Sequence, residues 1–146
     1  MKNMIAFLLM IISLFSIKYI LPQEQCMKDY EKITIVSDKR YELFEENLVQ
    51  NGNDYYYTFD NDENVMLSGF DYKALVIYYK EFDIKNFKSQ CDVFYQCEDV
   101  GGYKIYEGYM KGVEKYVMVN NKKVNFQLAI RESDIVLGLP MIVTGF

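Results

Sequence analysis

Three groups of side chains in this 146-residue chain are of types that do chemistry. The first is the acidic run Asp60-Asn-Asp-Glu-Asn64, which with Asp71 puts oxygen ligands at positions 1, 3, 5 and 12 of a calcium-loop template. Val65 stands where that template turns on glycine, and the Tyr-rich stretch before it reads as strand. Asp60, Asp62 and Glu63 are therefore expected to form a solvated hairpin loop, with no metal and no cofactor. The same residues suit a second role, as an acidic patch that steers a basic protein partner.

The second group is the tyrosines. Tyr55, Tyr56, Tyr57, Tyr78, Tyr79, Tyr103, Tyr106, Tyr109 and Tyr116 fall in segments that read as strands. Consecutive strand residues face opposite ways, so part of Tyr55–Tyr57 must reach the non-core face. Tyr55, Tyr57 and Tyr78 are the binding candidates, because an exposed tyrosine buries a large area at low entropy cost. The third group is Cys26, Cys91 and Cys97, which allow three single pairings and always leave one thiol over. A bond from Cys26 to one of the others is expected. It would close a loop of about 65–70 residues, nominally worth about 3–5 kcal/mol.

The residues that are missing narrow the chemistry further. The chain has no His, which removes Ser-His and Cys-His nucleophile pairs and His-ligated zinc. Carboxylate pairs at Glu45-Glu46, Asp62-Glu63 and Glu98-Asp99 could run hydrolysis without it, but none has an apolar setting that would raise a pKa. Nucleotide-binding loops and serine-nucleophile elbows are absent from the sequence. The expectation is a protein that binds and does not catalyse.

Residues 1–22 read as a targeting segment. Lys2 precedes a 14-residue apolar run from Met4 to Ile17, and no acid occurs before Glu24. That length suits a secretory h-region better than a spanning helix of about 20 residues. Cleavage would release a secreted or periplasmic protein. If the segment is retained, residues 4–21 would anchor it to a membrane. Residues 23–146 carry 14 basic and 21 acidic side chains, a net charge of −7. Nucleic-acid binding is not expected at that charge, because it needs a basic face.

The elements that must position these groups are expected to form a single α+β domain over residues 23–146. Its parts are an antiparallel sheet of about six strands and one packed helix over residues 83–97. Asn51-Gly52 before Tyr55–Phe59 signals a hairpin. Asp83 can cap a helix in which Ile84, Phe87, Cys91 and Phe94 recur at helical spacing, with Gly101-Gly102 beyond its end. A second hairpin is expected to turn at Asn121-Lys122 and pair Val119 with Val124, with Asn125 and Gln127 facing solvent. The apolar run Ile135–Val143 reads as a central strand or an exposed edge. The function expected of this assembly is recognition of another macromolecule, as in an inhibitor or immunity-type protein. The alternatives are a tyrosine-lined domain for a small ligand or carbohydrate, and an anchored envelope component.

Overall fold

A computed structural model describes residues 29–61, 63, 67–132 and 134–143. The leader, Cys26 and Asp62 lie outside the described residues. Ten strands dominate: β1 Lys32–Ser37, β2 Leu48–Asn51, β3 Asp54–Asp60, β4 Ala74–Tyr79, β5 Val93–Val100, β6 Tyr103–Tyr109, β7 Val117–Val119, β8 Lys122–Val124, β9 Phe126–Arg131 and β10 Asp134–Leu139. Eight of them form one antiparallel sheet in the order β2-β3-β1-β4-β10-β9-β6-β5, and β7-β8 make a separate ribbon. The fold is thus mostly β, which corrects the expected six-strand α+β arrangement.

The largest correction is the helix. Among the described residues only Ile84–Ser89, α1, is α-helical, capped as expected by Asp83, whose carboxylate accepts the Asn86 N–H at 2.9 Å. Residues 93–97 are strand. Two local forces decide this: Val93-Phe94-Tyr95 is β-prone, and Gly101 and Gly102 sit at φ +57° and +83°. Two successive positive φ values are what a tight hairpin turn needs. The glycine pair therefore does not end a helix; it folds β5 back onto β6. Phe94 satisfies helical spacing from Phe87, yet it meets Phe87 and Phe126 at 6.5 and 5.9 Å between ring centroids from a strand.

The second hairpin turns one residue early, at Asn120 and Asn121, both with positive φ. Asparagine tolerates that region and lysine does not. The register becomes Val117 opposite Val124 and Val119 opposite Lys122. Phe126 then joins the main sheet opposite Gly108. Asn125, between the two, is fully buried instead of facing solvent. The apolar C-terminal strand β10 lies between β4 and β9, so it is central and not an edge.

One face of the sheet carries the main core. Ile33, Ile35, Tyr57, Phe59, Leu75, Ile77, Phe126, Leu128, Leu137 and Leu139 alternate onto it. Phe44 of a 3₁₀ turn at Glu42–Asn47, Phe70, Phe87 of α1, Met110 and Val113 cover it. The opposite, outer face holds a smaller cluster of Val76, Tyr103, Ile105, Ala129 and Val136, packed with Tyr78 and Ile142. After β10 the chain folds back over this face, where the Ile142 N–H donates to Gln127 Oε1 at 3.2 Å.

Candidate functional site

The tyrosines singled out from the sequence do not converge. Tyr57 is fully buried, its hydroxyl accepting the Tyr41 N–H at 2.7 Å and donating to the Lys39 carbonyl at 3.3 Å. Tyr55, two residues away, half-buries against the same core. Tyr78 sits on the outer face, with the Lys32 ammonium 4.5 Å above its ring. Tyr78 therefore lies on the opposite face of the sheet from Tyr55 and Tyr57.

The acidic loop is tied into the fold. Glu63 accepts the Asp60 N–H at 2.8 Å and Asn47 Nδ2 at 3.3 Å. Asp71 accepts Lys39 Nζ at 2.6 Å, and that bond holds its carboxyl below the usual carboxylate range. Asp60 is exposed at the end of β3 and remains available to solvent.

Cys91 and Cys97 stand as free thiols, and the bond expected from Cys26 lies outside the described residues. They cannot pair with each other, because six residues of mostly extended chain span about 20 Å, against a Cα limit of about 7 Å. Cys97 sits at the bulge that breaks the β5–β6 register between Gln96 and Glu98. Its thiol donates to the Ile105 carbonyl at 3.4 Å. Burial pushes the Cys91 thiol up to about 12, with Asp92 adding to the shift.

That shift has a consequence for stability. Between the ordinary thiol pKa of about 9 and the folded value, the unfolded thiol ionises while the folded one keeps its proton. The folded state then binds more protons, so stability falls as pH rises through this window. A Cys91→Ala variant is expected to lose part of the decline between pH 8 and pH 10.5. Urea midpoints at the two pH values measure it; identical declines in variant and parent would refute the assignment.

A concave site does exist, between the sheet and the β7–β8 ribbon. An open cleft of about 290 Å³ is lined by Val93 and Tyr95 of β5, Tyr109 of β6, and Lys122 and Lys123 of β8. Val93 lies opposite Tyr109 and Tyr95 opposite Glu107, so all four side chains share the outer face. Glu107 is buried beneath this edge. Its carboxylate accepts the Tyr95 hydroxyl at 3.2 Å and Gln127 Nε2 at 3.1 Å. Burial and this bond both raise the Tyr95 pKa. The lysine ammoniums stand over aromatic rings, Lys122 5.4 Å from Tyr95 and Lys123 4.5 Å from Tyr116. Val93 is itself exposed, and exposed Tyr116 and Met118 lie just before and within β7, the strand paired with β8.

Reading residues 83–97 as helix hides Tyr95, which only a strand places beside Tyr109. The signal that was present is local: an Asn-Asn turn followed by Lys122-Lys123 on a short ribbon. No family model, curated protein or solved structure matches the chain.

Proposed function

We propose that this chain is an exported, non-catalytic binding module whose recognition site is the cleft lined by Val93, Tyr95 and Tyr109. The observation that carries the reading is the concave meeting of two half-buried tyrosines and an exposed valine, set on a sheet edge by a defined hairpin register. Sites of this kind hold a ring by stacking and by apolar contact. Export is supported by the apolar segment behind Lys2.

A larger partner is a second reading, favoured by the exposed side chains of Val93, Tyr116 and Met118. They extend the apolar surface beyond what a small ligand would cover, as at an inhibitor or immunity-type interface. In that form a ring-bearing group of the partner enters the cleft.

An NMR screen of aromatic and sugar fragments tests the site. Shift changes are expected to concentrate on the backbone amides of Val93, Tyr95 and Tyr109. Fragments that bind elsewhere, or no binding at millimolar concentration, would discard the proposal.

A further inference from the structure

The cleft carries more information than its shape. The chain has an excess of acidic over basic groups, 21 against 16. Five basic side chains spend part of that excess in ion pairs: Lys39, Arg40, Lys73, Lys80 and Arg131. Among the described residues, the exposed Lys122 and Lys123 form no ion pair. Their ammoniums are held over tyrosine rings instead. Ring contact fixes an ammonium without using its three N–H donors, since the attraction is to the π face. Two positioned cations therefore border an apolar cleft with their hydrogen-bonding capacity unspent. Glu107, buried beneath the edge, has both oxygens engaged by Tyr95 and Gln127. Two ammoniums at its rim make the cleft locally cationic on an anionic protein.

Resting on the cleft being the binding site, we propose that it takes a small organic anion carrying a flat apolar ring. The ring seats against Val93, Tyr95 and Tyr109, and Lys122 and Lys123 hold the anionic group. A cavity of about 290 Å³ lies at the lower end of ligand pockets, which suits one or two fused rings and not an extended chain. The anion preference comes from short-range contacts, because the net charge of the protein repels anions at a distance.

The test uses two probes that differ only in charge, 2-naphthoate and its neutral amide, titrated against the purified protein by NMR and calorimetry. Each exposed lysine contact is worth up to about 1 kcal/mol, so naphthoate should bind about tenfold tighter than the amide. The double variant Lys122→Gln/Lys123→Gln should erase that difference, bringing the two probes to equal affinity. Both positions are exposed, so folding is not at stake. Tyr109→Leu should weaken both probes together. Equal affinity for the two probes overturns the anion proposal and leaves the cleft reading intact. Tight naphthoate binding that survives the double lysine variant also overturns it. Binding of neither probe at millimolar concentration overturns both.

Discussion

Replacing Asn125 with Ala is expected to lower the free energy of unfolding by about 3–4 kcal/mol, the sum of three buried backbone bonds at roughly 1–3 kcal/mol each, less what entering water restores. Asn125 is fully buried where the chain leaves the β7–β8 ribbon for β9. Its Oδ1 accepts the Met110 N–H at 2.8 Å, and its Nδ2 donates to the carbonyls of Met110 and Val113 at 2.7 and 3.0 Å. Those groups belong to a loop that no ladder satisfies. Without the amide, the Met110 carbonyl keeps only a long bond from the Val113 N–H, 3.4 Å, and the Met110 N–H keeps nothing among the described residues. Small domains have about 5–15 kcal/mol in all, so this one side chain holds a large share. The loop leads directly into β7, so loosening it also frees the ribbon that carries Lys122 and Lys123. The urea midpoint followed by circular dichroism should fall by about 2 M for a slope of about 1–3 kcal/mol/M. A midpoint within error of the parent would refute the role given to Asn125.

Asn125 also marks the boundary of what was legible in advance. Features encoded within four or five residues could be read: the Asn51-Gly52 hairpin, the Asp83 cap and the β-branched run of β1. Features set by partners far along the chain could not. Nothing near Asn125 announces that the carbonyls of Met110 and Val113, 15 and 12 residues away, need an amide. Polar residues flanking a hairpin are usually solvated, so the local pattern pointed outward. The helix reading failed for a related reason. Phe87, Cys91 and Phe94 share one buried side whether the chain coils or folds back, and only pairing with β6 separates the two. That error propagated to the site, because Tyr95 meets Tyr109 only across the β5–β6 ladder. Alternation puts Tyr55 and Tyr57 on one face, but which face is the core depends on β1 and on the aromatic cover of Tyr41 and Phe70.

A methyl group added at Gly108 should be as damaging as the loss of that amide. A Cβ there would stand 1.9 Å from the Val93 carbonyl oxygen, 2.8 Å from its carbon and 2.6 Å from Phe126 Cζ. No carbon–oxygen contact survives at such a distance, so either backbone or ring must move. The ring has no room. Phe126 is fully buried against Phe87 and Phe94, at 5.1 and 5.9 Å between centroids. The Val93 backbone is held in the β5–β6 ladder, and the neighbouring Asp92 N–H donates to the Tyr109 carbonyl at 2.9 Å. Gly108→Ala is therefore expected to cost about 3 kcal/mol, the upper end for overpacking. The entropy that alanine removes from the unfolded chain, about 0.4–1 kcal/mol, offsets only part of this. Gly69→Ala is the control, since a Cβ there meets nothing within 4 Å; it should leave the urea midpoint unchanged. Equal midpoints for the two variants would show that β5 yields freely. The same displacement has a second readout, because Val93 lines the cleft opposite Tyr109. Pushing it outward separates the walls that grip a ring while leaving both lysines in place. The Gly108 variant, studied at low temperature where it remains folded, should bind 2-naphthoate and its amide more weakly by the same factor. The charge preference survives such a change, whereas loss of Lys122 and Lys123 removes it, and that contrast separates the apolar half of the site from its cationic half.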